Sequence, residues 1–197
     1  MRNSILLLVL LLALASGYAA PTCTLQSSID VFALKFSTTD ALHGRAFVVE
    51  TPGVYVCWKR GATTATTSLT AALDENSPVF DTFIFGAPEI SLRWELGSPM
   101  RQLNTIHVWW SLRDPARNAI NVKFAARDAA TQAWRDIMTY QKVAAVAAVD
   151  NTFALLTITF PAGEVTNIDA LRLIDGSGLA SVNNTRFVAV DAVGGAM

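Results

Sequence analysis

The stretch Ile90–Leu96, with the sequence ISLRWEL, alternates large apolar residues with polar or charged ones at every second position. Successive side chains of a β-strand point to opposite sides, so a period of two predicts a strand with one buried and one solvated face. A helix would instead repeat its apolar residues every three or four positions. The stretch therefore predicts a β-strand that lies on the surface of a hydrophobic core.

Short apolar segments of the same kind recur along the chain, with turn residues between them. Strands are predicted at residues 31–37, 46–50, 54–59, 106–111, 120–124, 152–160, 171–174 and 187–193. Residues 128–149 contain alanines that favour a helix by propensity, but the segment is interpreted as a strand followed by a connector. Many short strands with turn signals between them predict an all-β sandwich of antiparallel strands.

Composition and charge exclude several classes of protein. The chain has 197 residues, of which 52% are hydrophobic and 16% charged, and its formal net charge is −1. Intrinsic disorder requires low hydrophobicity and high net charge, so it is excluded. Because 15 Lys and Arg nearly balance 16 Asp and Glu, no global field attracts nucleic acid or an anionic membrane.

Residues 1–19 are predicted to be a secretory signal peptide. Arg2 supplies a positive start, Ile5–Leu14 is an unbroken apolar run, and small residues surround a cleavage site after Ala19. The alternative is a membrane anchor, but a span needs roughly 20 apolar residues, about twice the length of this run. We therefore expect a secreted, extracellular protein without a membrane span.

A secreted location affects how the two cysteines and one glycosylation sequon are interpreted. Cys23 and Cys57 form an even pair in an oxidising compartment, so a disulfide between them is predicted. Such a bridge would stabilise the fold by roughly 3–4 kcal/mol if it acts through chain entropy. Asn183 begins the sequence Asn-Asn-Thr and is a predicted glycosylation site if the secreting cell is eukaryotic.

Several motifs follow one another in a characteristic order over residues 70–194. They are the turn Ala72-Leu73-Asp74, the strand Leu92–Gly97, the strand Ile106–Trp110 with the following Leu112-Arg113-Asp114, the strand Ile120–Phe124 with the later Trp134, the strand Ala170–Leu173 and the closing strand Val188–Gly194. This order resembles the discoidin-like, galactose-binding-domain-like jelly rolls, which include coagulation-factor C domains and many bacterial carbohydrate-binding modules. The resemblance implies a jelly-roll β-sandwich that binds glycans.

The chain also departs from the pattern of that family. Residues 20–60 have no counterpart in it, and we expect them to form an N-terminal strand extension packed on the sandwich of residues 61–197. Glu75 stands where the family prefers a glycine. The family's closing strand usually carries an acidic residue that helps to bind a structural calcium. Ala189 occupies that position here, and Asp191 lies two residues further on, on the same side of the strand.

Calcium is the one metal that the sequence suggests. Asp74 and Asn76, together with Glu75 and Ser77, place hard oxygen donors in one turn, which is the ligand type that calcium prefers. A solvated turn is the alternative, and no other cofactor is expected. Catalysis is not expected either, because a hydrolytic triad needs a suitably placed histidine and nucleophile. The chain has two histidines and lacks the Gly-x-Ser-x-Gly motif.

A glycan-binding site is predicted between His107 and Arg117. Trp109 and its neighbour Trp110 must point to opposite faces of their strand, and the alternation places Trp110 in the core and Trp109 outward beside His107. An outward indole stacks on the apolar face of a sugar ring. The alternative for His107 is a plain surface histidine on the outer face of the sheet.

Two arginines complete the predicted site. The resemblance assigns contacts with sugar hydroxyls to Arg113, and Arg117 follows in the same loop. A planar guanidinium holds two adjacent hydroxyls in a way that lysine cannot copy. The alternative is that Arg113 pairs with the neighbouring aspartate while both tryptophans only pack.

These features favour a secreted, non-catalytic module for adhesion or for binding cell-surface or extracellular glycans. The alternative is a structural subunit of an extracellular coat, wall or surface assembly, whose partners are neighbouring proteins. A surface of low charge and high apolar content suits such packing. Homo-oligomerisation is compatible with both functions, because multivalency strengthens weak binding.

Overall fold

The computed structural model describes residues 19–30, 40–50, 54–59, 80–85, 90–111, 120–142, 152–175 and 187–196. Within these ranges every regular element is a β-strand, and all the pairings are antiparallel. The strands are β1 (Thr22–Asp30), β2 (Phe47–Val49), β3 (Val54–Lys59), β4 (Phe80–Phe85), β5 (Ile90–Ser111), β6 (Ile120–Asp128), β7 (Trp134–Lys142), β8 (Thr152–Thr159), β9 (Thr166–Asp175) and β10 (Phe187–Ala196). The predicted all-β jelly-roll sandwich of antiparallel strands is confirmed.

The long strand β5 connects the two layers of the sandwich. Its first part pairs with β2 and β9, and its last part pairs with β8 and β10. We call the layer β2–β5–β9–β6–β7 the front sheet and the layer β1–β8–β5–β10–β4–β3 the back sheet. Because one strand belongs to both layers, the two sheets form a single hydrogen-bonded sheet that folds over at β5.

The partners of β5 change in two places. On one side β2 gives way to β10 between Trp94 and Met100, the interval in which the register with β9 also shifts, and on the other side β9 gives way to β8 between Gln102 and Thr105. Gly97 lies within the first of these intervals and has a φ of 77°, in the left-handed region that favours glycine. A β-carbon on Gly97 would lie 2.5 Å from Nη1 of Arg45, the end of a flexible side chain that can move aside, so the backbone conformation rather than space favours glycine there.

The hydrophobic core fills the space between the two sheets. Its largest fully buried side chains are Trp110, Phe124, Leu92, Leu103, Ile106, Ile120, Leu156 and Ile158. Both parts of β5 contribute alternate residues, with Leu92, Trp94 and Leu96 in the front sheet and Ile106, Val108 and Trp110 in the back sheet. The predicted burial of Leu92, Trp94 and Leu96 and the inward direction of Trp110 are therefore confirmed.

Some strands differ from the sequence prediction. β5 is one continuous strand rather than two, and β7 confirms a strand within residues 128–149. β1 and β4 were not predicted. Among the described strands β1 pairs only with β8, at the edge of the back sheet, and its sequence TCTLQSSID is largely polar. The predicted strand at residues 31–37 lies outside the described residues.

The strands before residue 60 pair with strands that follow it, namely β1 with β8, β2 with β5 and β3 with β4. The division of the chain at residue 60 stays a prediction. The predicted signal peptide lies almost wholly outside the described residues. Within the described ranges, no helix is long and apolar enough to cross a membrane.

The prediction of a disulfide between Cys23 and Cys57 is wrong, because Cys23 is a free thiol. β1, which carries Cys23, and β3, which carries Cys57, form opposite edges of the back sheet, with four strands between them. At the usual strand spacing this separates the two residues by on the order of 20 Å across the sheet. A disulfide requires Cα atoms within about 7 Å of each other.

We expect both cysteines to be reactive in denatured protein that has never been reduced. The separation of β1 and β3 prevents an intramolecular bridge, so a thiol titration in denaturant should find two thiols per chain. Native protein should also melt at the same temperature with and without reductant. A melting temperature that falls on reduction would contradict this strand order.

Trp110→Ala should destabilise the protein by about 3–5 kcal/mol, because it opens a large cavity in the core. The exposed Val48 offers a control, and Val48→Ala should change the free energy of unfolding by less than about 0.5 kcal/mol. Urea denaturation of both variants measures the two values. Similar stabilities would show that Trp110 does not lie in the core.

Candidate functional site

The predicted glycan site lies only partly within the described residues. His107 and Trp109 lie on the outer side of the back sheet, and their rings are in contact with centroids 5.4 Å apart. The remaining predicted site residues lie outside the described ranges: Arg113, Arg117, Asp74, Asn76 and Asn183. The roles assigned to these five residues stay predictions.

Trp109 faces outward from the back sheet but is covered. Its side chain is only 4% exposed, in a small cluster with Phe153, Leu155 and Ala189. A ring covered to this degree offers no open face to a sugar. His107 is half-buried, and burial lowers its pKa although the charge of Asp40 acts in the opposite direction. The expected open indole and surface imidazole are thus a packed pair.

A different group of side chains covers the outer side of the front sheet. In one row across the sheet, Glu95, Ala170, Arg127 and Trp134 stand opposite one another on β5, β9, β6 and β7. In the next row the corresponding residues are Arg93, Arg172, Ala125 and Asp136. The two central alanines are buried. Because they are small, the long side chains around them can lie over the sheet and meet.

We call the residues Glu50, Arg93, Glu95, Arg127, Trp134, Asp169 and Arg172 the front-face cluster. Glu50 follows β2 and accepts hydrogen bonds from Ser91 Oγ at 2.8 Å, Arg93 Nη1 at 3.1 Å and Arg172 Nη2 at 3.0 Å. Burial raises the pKa of Glu50, but the bonds from Arg172 and Ser91 outweigh it, so the pKa is lowered overall. Glu50 is therefore held as a carboxylate between two arginines.

Arg127 joins the other two carboxylates of the cluster. Its Nη2 lies 2.6 Å from Glu95 Oε2, and its Nε lies 2.7 Å from Asp169 Oδ1. The bond from Arg127 lowers the pKa of Asp169, and the same bond raises the pKa of Arg127. Arg93 Nε completes the chain of contacts at 3.1 Å from Glu95 Oε1. Three arginines and three carboxylates therefore alternate, and their formal charges cancel.

Trp134 lies over two of these arginines at the start of β7. The guanidinium carbon of Arg172 is 3.9 Å from the centroid of its ring, and that of Arg127 is 5.7 Å away. Both distances are within the range of cation–π attraction. The side chain of Trp134 remains partly exposed. Part of its ring is thus fixed by guanidinium groups while another part is open to solvent.

The backbone beside Trp134 is strained. Gln132 and Asn167 have φ values of 59° and 52°, and they are the only non-glycine residues with positive φ among those described. A left-handed conformation costs such a residue about 1–2 kcal/mol. Gln132 Nε2 donates to Asp169 Oδ2 at 2.9 Å and to the carbonyl oxygen of Ala129 at 3.0 Å. The hydrogen bond to Asp169 therefore connects the turn before Trp134 directly to the front-face cluster.

A β-bulge adds to this irregularity. Arg127 pairs with Ala170 and Asp128 with Ile168, which leaves Asp169 as an extra residue in β9. The bulge places the carboxylate of Asp169 within reach of both Arg127 and Gln132. Strained residues and bulges concentrate where a side chain must be aimed for function. Gln132 and the bulge at Asp169 are such features, and both lie near the partly exposed tryptophan.

Sequence reasoning did not identify the front-face cluster as a site. Arg93 and Glu95 were recognised as the outward residues of a strand, and Trp134 as the residue that follows another strand. The available signal was that the outward positions of several predicted strands carry arginines and carboxylates. Strand register, which brings these residues together, is set by pairings far apart in the sequence.

No known protein-family profile matches the chain, and no curated protein sequence does. Among solved structures, 27 chains match. CpGH89CBM32-6 of Clostridium perfringens has 12% identity and a TM-score of 0.48, over 79% of this chain and 99% of that one. CBM32-1 from a family 31 glycoside hydrolase of the same organism has 8% identity and a TM-score of 0.46, over 78% and 99%.

An F5/8 type C domain from Bacteroides fragilis is also similar, with 10% identity and a TM-score of 0.41, over 92% of this chain and 99% of that domain. Carbohydrate-binding modules and an F5/8 type C domain are the kinds of protein that the sequence resemblance named. Their likeness to this chain concerns the arrangement of the strands.

Asp169→Asn should flatten the loss of stability in acid. Because the folded state lowers the pKa of Asp169, its carboxylate stabilises the fold above its unfolded pKa of about 3.9. That stabilisation is lost as the pH falls through the lower folded pKa. Asparagine cannot ionise, so the variant should be less stable at neutral pH and depend less on pH below about 4.

Urea denaturation at several pH values measures this effect. Asp136→Asn is the matched control, because Asp136 is an exposed carboxylate of the same sheet face that lies outside the front-face cluster and pairs with Lys123 at 3.3 Å. If Asp169→Asn and the wild type lose stability in parallel on acidification, the ion pair with Arg127 does not contribute as described.

Proposed function

We propose that this protein is a secreted, non-catalytic glycan-binding module and that the glycan binds on the front-face cluster. The observation that carries the proposal is Trp134, whose ring lies 3.9 Å from the guanidinium of Arg172 and is still partly open. The apolar C–H face of a sugar ring stacks on such an indole. Because Arg172 already fixes the ring, little side-chain entropy is lost on binding.

The carboxylates of the cluster supply acceptors for sugar hydroxyls. Glu95 is the most exposed of them, with 47% of its side chain open, and it is held by Arg93 and Arg127. Hydrogen bonds to ionised groups are shorter and stronger than neutral ones. An aromatic platform beside oriented carboxylates is therefore an arrangement suited to a polyhydroxylated ligand.

The protonation of these carboxylates supports binding rather than hydrolysis. A glycoside hydrolase needs a carboxylic acid whose pKa is raised, so that it can protonate the leaving oxygen. The pKa values of Glu50 and Asp169 are instead lowered by arginine contacts. Both side chains remain ionised near neutral pH and act as acceptors.

Export and calcium binding remain parts of the proposal that rest on the sequence. The apolar run and cleavage pattern of residues 1–19 favour secretion, where extracellular glycans are the available partners. Among the described residues no three His, Cys, Asp or Glu side chains are grouped to hold a metal ion. Calcium at Asp74 and Asn76 is tested by adding a chelator to each binding assay.

The segment that follows β5, residues 112–119, is a second candidate site. Trp109 and His107, which pack together, come shortly before it in the sequence. The sequence resemblance assigns contacts with sugar hydroxyls to Arg113, and Arg117 follows in the same segment, which is the reason to consider it.

Trp134→Ala should weaken binding of the best glycan from an array screen about tenfold or more, because it removes the stacking surface. Calorimetric titration of mature wild-type and variant protein measures this, with thermal melts to confirm folding. Thr139→Ala, an exposed position on the same strand, should bind like the wild type.

Two other outcomes would contradict glycan binding at the front-face cluster. If Arg113→Lys weakens binding while folded Trp134→Ala does not, the site is the loop after β5. If the mature protein binds no glycan on the array, the structural-subunit alternative replaces the binding function.

A further inference from the structure

The arginines of the front-face cluster are already engaged by carboxylates. Arg93 and Arg172 contact Glu50, and Arg127 contacts Asp169 and Glu95. The cluster as a whole thus has three positive and three negative groups. A surface with three arginines would ordinarily attract sulfate or carboxylate groups, but in this one the charges are compensated internally.

One carboxylate of the cluster, that of Glu95, lies closer to solvent than any of its three arginine side chains. The side chain of Glu95 is 47% exposed, against 30% for Arg93, 18% for Arg127 and 23% for Arg172. The other two carboxylates, those of Glu50 and Asp169, are 21% exposed. Beside Trp134, an approaching ligand therefore meets the carboxylate oxygens of Glu95 and the indole before it reaches Arg127 or Arg172. Carboxylate oxygens accept hydrogen bonds from hydroxyl groups and repel anions.

An anionic ligand would have to displace one of the carboxylates from its arginine. The displaced carboxylate would stay partly buried without its partner, which costs more than the new contact returns. The pKa values of Glu50 and Asp169 are both lowered, so mild acid does not neutralise them and free the arginines. An uncharged ligand requires no such exchange.

We propose that the front-face cluster selects uncharged, hydroxyl-rich glycans and excludes sulfated and carboxylated ones. The proposal rests on the glycan-binding function proposed above and specifies its ligand class. The arginines serve as supports for Trp134 and for the carboxylates, while the ligand's hydroxyls donate to carboxylate oxygens. Binding of this kind depends little on ionic strength, because no counterions are released from a charged polymer.

The first experiment compares polysaccharides that share a backbone and differ in charge. Full-length mature protein is passed over immobilised dextran and dextran sulfate, and over hydroxyethyl cellulose and carboxymethyl cellulose. The wild type should not be retained on either anionic polymer at about 50 mM salt. On the glycan array, every hit lost in Trp134→Ala should be uncharged, with affinity changing less than about twofold up to about 500 mM salt.

The second experiment removes one of the carboxylates that compensate the charge of the arginines. Glu95→Gln leaves Arg93 and Arg127 with one carboxylate fewer and should give retention on dextran sulfate at least about tenfold above wild type, reversed by salt. Asp136→Asn changes the net charge by the same amount but removes a carboxylate outside the cluster, the one that contacts Lys123. This control should behave like the wild type.

The outcomes separate the two proposals. Wild-type binding to a sulfated or carboxylated glycan that Trp134→Ala abolishes would overturn the ligand class and keep the glycan-binding function. Equal retention of Glu95→Gln and Asp136→Asn on dextran sulfate would also overturn it, because net charge alone would then control anion binding. Unchanged glycan binding in Trp134→Ala would instead refute the proposed function at this face.

Discussion

The exchange of partners along β5 is the constraint on which the rest of the structure depends. One strand of 22 residues contributes to both layers, so both sheets inherit their register from the same backbone. Its inward residues fill the core from two sides, and its outward residues define two unlike surfaces. On the front sheet the outward residues are Arg93 and Glu95, and on the back sheet they include His107 and Trp109. A slip of one residue in β5 would exchange core and surface in both layers at once.

Electrostatic pairing on the front sheet follows from that register. No single strand contains the front-face cluster, since its members come from β5, β6, β7, β9 and the residue after β2. Partly exposed ion pairs contribute little to stability one at a time. Because these ion pairs are linked in a network, they fix the positions of their side chains more than they stabilise the fold. The strained Gln132 and the bulge at Asp169 are consistent with a surface whose geometry is maintained at some cost in stability.

The fold was largely accessible from the sequence, whereas the site was not. Alternation in Ile90–Leu96 and around Trp110 identifies strands and their buried faces, because burial on one side leaves a local signature. β1 was not predicted, because it is an edge strand in which polar and apolar residues are mixed. The disulfide was predicted from compartment and count, but strand order, which is not a local property, separates the two cysteines. Trp109 shows the same limit, since alternation gives its side of the sheet and not what covers it.

Ala125 and Ala170 lie at the centre of the front face with no polar group to offer a ligand. Because alanine is small, these residues leave space above the sheet. That space sets how closely the arginines and the ring of Trp134 can lie against the sheet. A larger residue at either position would push the arginine side chains and the Trp134 ring away from the sheet, although no residue of the front-face cluster would be changed. Substitution of either alanine would therefore be expected to move the guanidinium groups and the indole without any change to the charged residues themselves.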